Sequence, residues 1–238
     1  MITVRRSADR GRAYHGWLDS RHTFSFGDYH DPMHMGFRAL RVLNEDRVEP
    51  GKGFAAHSHR DMEIISYVLE GALEHRDSMG TGSVIVPGDV QLMRAGHGVT
   101  HSEYNHSRQE PVHFLQIWIV PDTAGLTPAY EQLHFEAEVL RNALVCVASN
   151  APGEGSLHVH QDVSMHAAIL DPASSVRREI APGRHAWIQI ARGQATVRGA
   201  AEGSDVGLGE GDGAAVSGES LVEIVAGNSC ELLLFDLA

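Results

Sequence analysis

Cysteine is nearly absent from this chain, with two in 238 residues, and that scarcity excludes a disulfide framework as a source of stability. Cys146 and Cys230 both sit in apolar runs, ALVCVAS and SCELLLF, where buried free thiols are expected. Long apolar runs are missing as well. No stretch approaches the roughly eighteen apolar residues of a membrane-spanning helix, and the early arginines of MITVRRSADRGRAYHGW are followed by no apolar segment of a secretory leader. Basic charge is also scarce: Lys plus Arg total 19 against 31 Asp plus Glu, a formal charge of −12. Such a chain gains no counterion-release energy from a phosphate backbone, so direct nucleic-acid binding is disfavoured. These absences leave a soluble, cytoplasmic protein as the expectation, with a monomer as the simplest state.

Helical periodicity is the last thing lacking. From Phe37 onward the chain consists of short apolar segments divided by Gly, Pro, Asn and Asp, among them EIISYVLEG, GSVIVPGD, VQLMRAG and PVHFLQIWIV. Strand-length runs at such spacing predict an all-β sandwich or barrel. Residues 1 to 36 read as a short strand followed by irregular structure, with turn chemistry at Gly27-Asp28 and Asp31-Pro32. TPAYEQLHF, from Thr127 to Phe135, reads as a helical turn opening after Pro128, at about the place where two domains would join.

The second half repeats the grammar of the first. Tyr67-Val-Leu-Glu-Gly71 aligns with Gln189-Ile-Ala-Arg-Gly193, Val84-Ile-Val-Pro-Gly88-Asp89 with the stretch from Val206 to Gly211-Asp212, and HFLQIWIV with ELLLFDLA. The offset is 122 between Gly71 and Gly193 and 123 between Gly88 and Gly211. A repeat of that length with a single indel predicts a duplicated β module, divided as residues 1–134 and 135–238.

Two short pairs stand out in the first module, His57-x-His59 and His101-x-Glu103. Residues i and i+2 of a strand face the same way, so each pair can present two donors side by side. Neutral imidazole suits first-row transition metals and a carboxylate adds charge that favours a divalent ion. Three His and one Glu would fill four of six octahedral positions and leave two open for a chelating substrate, dioxygen or water. The repeat offset sets Glu179 and Ala181 opposite His57 and His59, and places Glu223 or Ile224 and Val225 or Ala226 near His101 and Glu103. The second module is therefore expected to lack the donors. His158-x-His160, with His166 beyond it, has strand spacing but lies upstream of the equivalent position, so a partly exposed strand is expected there. His15, His22, His30 and His34 read as surface or loop histidines, His97 as a turn residue near a pocket mouth, His113 as a core-edge residue, and His75 as part of a network with Arg76 and Asp77.

GKGFAAHSHRDMEIISYVLEGALEHRDSMG followed by AGHGVTHSE resembles the signature of the pirin family within the cupin superfamily, and HTFSFGDYHDPMHMGFRALRVLNEDRV and the later QDV extend the likeness over most of the chain. The resemblance implies a bicupin, two tandem jelly-roll-like β-barrels, with one mononuclear metal in the amino-terminal barrel held by His57, His59, His101 and Glu103. Iron as Fe(II) is the usual ion of that family, while ligand type alone leaves Mn, Co, Ni, Cu and Zn open. Where the family has His-Pro-His this chain has His57-Ser58-His59. The general cupin pattern would nominate Glu63 as the carboxylate ligand; the pirin likeness favours Glu103 and leaves Glu63 to orient a histidine. The implied activity is that of a quercetin 2,3-dioxygenase, with a flavonol and O2 as substrates and Glu103 as the base for the substrate hydroxyl. Phe54, Ile64, Ile65, Val68, Met93, Phe114 and Leu115 are the apolar residues expected to form the slot for it. The alternative implied by eukaryotic pirins is a non-enzymatic redox sensor that binds a protein partner.

Overall fold

The computed structural model describes residues 1–151, 155–200 and 203–238. They form two compact units: Gly11–Phe135 with Val159–Gln161, here the first unit, and Met1–Arg10 with Glu136–His158 and Asp162–Ala238, the second. Each unit is all-β and contains a seven-stranded and a four-stranded antiparallel sheet, apart from one short parallel pairing, Val145–Ser149 with Leu157–His158. Among the described residues no helix is long and apolar enough to cross a membrane.

In the first unit the seven-stranded sheet runs, in spatial order, through Ala129–His134, Asp89–Arg94, Glu63–Glu70, Val112–Ile119, Leu40–Val48, Leu18–His22 and Gly11–Tyr14. The four-stranded sheet runs through Gly53–His59, Val99–Asn105, Leu73–Asp77 and Gly82–Ile85. The second unit repeats this order with Ile2–Arg5, Gly213–Ser217, His185–Arg192, Cys230–Leu237, Val163–Leu170, Val145–Ser149 and Leu157–His158 in one sheet. Its other sheet holds Ser175–Glu179, Leu221–Ala226, Ala195–Arg198 and Val206–Leu208. Gly71 and Gly193 occupy equivalent turns with φ of 76° and 78°. At each a Cβ would collide with a carbonyl oxygen, of Pro111 and of Ser229 respectively, so both turns require glycine for conformation and for space.

Two sequence expectations need correction here. The segment from Thr127 to Phe135 is no helical turn: Ala129–His134 is an edge strand registered from Ala129 opposite Arg94 to His134 opposite Asp89. An open ladder beside Asp89–Arg94 outweighs the weak helical bias that Pro128 gives. Nor does a single cut between residues 134 and 135 describe the units. Ile2–Arg5 pairs with Gly213–Ser217, Ile2 opposite Val216 and Val4 opposite Ala214, which puts the amino terminus at the sheet edge of the second unit. That edge position is the one Ala129–His134 fills in the first.

The two cores differ in a way that bears on function. The second unit has one large apolar cluster in which Ile188 and Leu234 are cross-strand partners. At the equivalent positions of the first unit, Ser66 faces Gln116, and both are buried. On that side of the sheet the apolar packing forms one cluster around Val68, Leu73 and Phe114 and another around Ile64, Met93 and Val99, and neither contains Ser66 or Gln116. Each aliphatic side chain given up forgoes about 1.5 to 3 kcal/mol of burial. A fold that could have been filled is instead opened for polar groups.

Candidate metal centre and its cavity

His57 and His59 stand on Gly53–His59, and His101 and Glu103 on Val99–Asn105, which pairs with it. His101 lies opposite His57, but Glu103 lies opposite Phe54, so three steps on one strand match two on the other. This bulge, at Ala55 and Ala56, turns the His57 and His59 side chains toward His101. The ligand atoms of His57, His59 and His101 all lie within 4.8 Å of one another, and so do those of His75, His101 and Glu103. His57 Nε2 and His101 Nε2 are 3.1 Å apart. The His59 ring centroid stands 4.7 Å from that of His57 and 4.8 Å from that of His101.

In the second unit Ile224 lies opposite Val176 and Val197, just as Glu103 lies opposite Phe54 and His75. Val222, two residues earlier, faces Arg178. The residues equivalent to His57, His101 and Glu103 are therefore Arg178, Val222 and Ile224. The sequence offset that set Glu179 opposite His57 is out by one residue, because Ser175–Glu179 pairs without the bulge. The expectation that the second module lacks the donors is unaffected.

Burial sets the electrostatics of His59, His101 and Glu103. Burial, followed by the nearby His57, lowers the His59 pKa to about 4. Burial lowers that of His101 further, with His57, His59 and His75 contributing. Glu103, 4% exposed, is pushed up to about 7 by burial, with a hydrogen bond from Ser66 opposing the shift and Asp46 adding to it. Ser66 Oγ donates to Glu103 Oε1 at 3.1 Å, and Gln116 Nε2 lies 3.3 Å from each carboxylate oxygen. Its hydrogen-bond partners are thus neutral, and no cationic side chain pairs with it among the described residues.

These observations fit a cation. His57 Nδ1 lies 2.8 Å from the Ala55 carbonyl oxygen and must donate to it, which leaves the Nε2 lone pair pointing at His101. Nitrogens each about 2.1 Å from one ion and at right angles to each other would stand about 3.0 Å apart, close to the separation found. A buried carboxylate lacking a positive partner supplies the charge such an ion requires.

Beside the donors lies a cavity of about 700 Å³, lined by His57, His59 and Glu103 among others. Its walls are aromatic: Trp17, Phe26, Tyr29, Phe54 and Trp118. Trp118 meets the ring of His59 edge to face at 4.9 Å and that of Phe26 at 5.3 Å. Asn44, Asp46 and Gln116 give it polar groups. Of the seven residues expected to form the slot, Phe54 alone lines this cavity; Ile64, Ile65, Val68, Met93, Phe114 and Leu115 are buried in the core. Strand alternation told their faces apart only once the sheet register was known. His15, an exposed loop residue as expected, and His22 both line the cavity, but His22, taken as a surface or loop residue, is buried in the strand Leu18–His22. The signal available for them was their place among the aromatic residues from Tyr14 to Tyr29.

Other histidines are accounted for locally. His160 donates its backbone N–H to Glu63 Oε2 at 2.7 Å and its Nδ1 stands 3.2 Å from Oε1, so His158-x-His160 forms no donor pair. Glu63 does orient a histidine, but that histidine is His160. His113 Nε2 is 2.9 Å from Glu45 Oε1, and His97 sits in an exposed turn outside the cavity lining. His75 is fully buried, with Nε2 3.1 Å from Asp77 Oδ2, while Arg76 pairs with Glu74 instead.

A duplicated antiparallel β module with donors in one copy defines a bicupin. The pirin family model matches residues 3–119, and the model described as the quercetinase C-terminal cupin domain matches 146–237. Quercetin 2,3-dioxygenase of Escherichia coli K12 is 47% identical over 238 residues, covering 100% of this chain and 99% of its own length. A putative quercetin 2,3-dioxygenase of Pasteurella multocida is 39% identical, with all of both chains covered. The crystal structure of the bacterial pirin YhhW from E. coli in complex with nickel(II) superposes with a TM-score of 0.92 at 45% identity, covering 100% of this chain and 99% of that one. The chain belongs to the pirin family.

Proposed function

We propose that the chain is a metal-dependent dioxygenase of the quercetin 2,3-dioxygenase type, with His57, His59, His101 and Glu103 as its metal ligands and a flavonol and O2 as its substrates. The observation that carries the reading is the buried Glu103 carboxylate, without a cationic partner among the described residues, beside three imidazoles at the wall of an aromatic cavity. The full-length relatives named quercetin 2,3-dioxygenase support it. Fe(II) is the ion assigned first; the E. coli relative in complex with nickel(II) supports a divalent transition metal as the ion.

The ion would supply open coordination positions for a chelating substrate and for O2. The chain supplies the rest. Trp17, Phe26, Tyr29 and Trp118 offer flat apolar faces to a planar aromatic substrate and keep water from the donors. Glu103 is the carboxylate that can take the proton of the flavonol 3-hydroxyl, held in place for it by Ser66 and Gln116.

The test is an aerobic assay of protein loaded in turn with Fe(II), Mn(II), Co(II), Ni(II) and Cu(II), following loss of the quercetin spectrum together with oxygen uptake. Turnover of one flavonol per O2 is expected with at least one ion. Full metal occupancy without oxygen-dependent turnover under every loading would sink the enzyme reading and return the chain to the sensor class.

A further inference from the structure

His101 is held from both ends. Its Nε2 faces His57 Nε2, while its Nδ1 stands 3.5 Å from Nδ1 of His75. His75 Nε2 in turn stands 3.1 Å from Asp77 Oδ2. The other oxygen of Asp77, Oδ1, accepts the backbone N–H groups of Met79 and Thr81 at 2.9 and 3.0 Å, which fixes Oδ2 toward the histidine. His75 and Asp77 have no exposed side-chain surface. Tyr130 lies against the His75 ring, with centroids 4.9 Å apart.

We propose that Asp77 and His75 form a proton-ordering relay that fixes the tautomer of His101 and presents its Nε2 lone pair to the metal; the proposal rests on the metal reading above. The order of donors follows from chemistry. A carboxylate oxygen only accepts, so His75 donates from Nε2 and, as a neutral ring, has a lone pair left at Nδ1. That lone pair accepts Nδ1–H of His101, and the second nitrogen of His101 is left with its own lone pair. His57 has the same tautomer through its bond to the Ala55 carbonyl. Two lone pairs then face each other across 3.1 Å, an arrangement that an ion between them turns from repulsive to binding.

The same geometry argues against His75 as a ligand. His75 Nε2 faces Asp77 and its Nδ1 faces Nδ1 of His101, so neither nitrogen is left for an ion, and the cavity is lined by His57, His59 and Glu103 and not by His75. In the second unit, which lacks the donors, the position of His75 is held by Val197. His75 and Asp77 are thus positioning residues, acting through His101.

Asp77→Asn tests this with little change of shape. Its carbonyl oxygen can keep the two backbone bonds while its amide donates toward His75, which inverts every donor in the relay and puts a proton on the metal-facing nitrogen of His101. Zn(II) affinity, measured by chelator competition, is expected to fall about 10- to 100-fold, with an unchanged thermal midpoint of the metal-free chain. His75→Gln, whose carbonyl can still accept from His101, should retain more affinity than His75→Leu. On the Zn(II)-loaded wild type, nitrogen-15 NMR should find His75 protonated at Nε2 and bare at Nδ1. Wild-type affinity in Asp77→Asn, or a His75 protonated at Nδ1 alone, would overturn the relay. If Asp77→Asn fails to fold, the His75 tautomer in the wild type decides by itself. A wild-type chain that takes up no Zn(II) would overturn the metal reading, and the relay with it, whereas Zn(II) uptake with unaltered affinity in the variant overturns the relay alone.

Discussion

Glu63 and His160 are locked together: the backbone N–H and the ring Nδ1 of His160 engage the two oxygens of one fully buried carboxylate at 2.7 and 3.2 Å. Arg94 Nε stands 3.5 Å from Oε1 of the same group. Glu63 is therefore committed to holding Val159–Gln161 onto the first unit, while Glu103 groups with His101. Metal analysis separates the two carboxylates. His59→Ala and Glu103→Ala should each reduce bound metal to a small fraction of wild type, whereas Glu63→Ala should retain it and lose about 3 to 5 kcal/mol of stability, the usual cost of breaking a buried pair. Retained occupancy in Glu103→Ala with loss in Glu63→Ala would reverse the assignment.

Trp118 touches both His59 and the cavity wall residue Phe26. Its role should show in substrate binding more than in metal uptake. Trp118→Leu is expected to raise KM for a flavonol about tenfold, on the order of 1 kcal/mol for a lost aromatic contact, with bound metal near the wild-type level. An unchanged KM would remove this wall from the substrate site.

His166, in the second unit, has its pKa lowered to about 4 by burial, with Arg178 adding to the shift. The ring is 5% exposed and Arg178 Nη1 lies 3.4 Å from its Nε2. Because the folded pKa lies below the ordinary value near 6.5, the unfolded chain binds the proton first as pH falls. Stability tied to this group is complete above pH 6.5 and is lost on acidification toward pH 4, by on the order of 3 kcal/mol. In urea unfolding at a series of pH values, His166→Gln should lack this component. The difference between its curve and that of the wild type isolates His166 from His59, whose pKa is also lowered to about 4.

The clustering of His57, His59, His101 and Glu103 on two paired strands was legible because H-x-H and H-x-E spacing survives any detail of register: residues two apart share a face of a strand. The duplicated fold was legible because turn glycines such as Gly71 and Gly193 recur at a fixed interval. What lay beyond the sequence depended on pairing between distant segments. The bulge at Ala55 and Ala56, which shifts the equivalence of His57 from Glu179 to Arg178, exists only relative to the facing strand. The cavity wall escaped notice for the same reason. Ile64 and Trp118 are cross-strand partners and pack in one apolar cluster, yet only Trp118 reaches the cavity. Asp77 was visible next to His75, but the contact of that pair with His101 joins residues 26 positions apart.

The amino-terminal strand offers a final check on how the second unit is built. Ile2 and Val4 pack against the apolar cluster of that unit while their backbones pair with Val216 and Ala214, and Arg6 Nη1 donates to Asp212 at 2.7 Å just beyond the strand. Val4→Asp places a charge where a partly buried aliphatic group belongs, and should lower stability by about 1 to 3 kcal/mol. Removal of residues 1–5 should cost more, because it also leaves Gly213–Ser217 as an unpaired edge open to pairing with another chain. Chemical unfolding monitored by circular dichroism, with light scattering for aggregation, measures both effects. Since the proposed ligands His57, His59, His101 and Glu103 belong to the first unit, Val4→Asp should still take up metal at the wild-type level while the second unit melts early; loss of metal in proportion to loss of stability would mean that the two units fold as one.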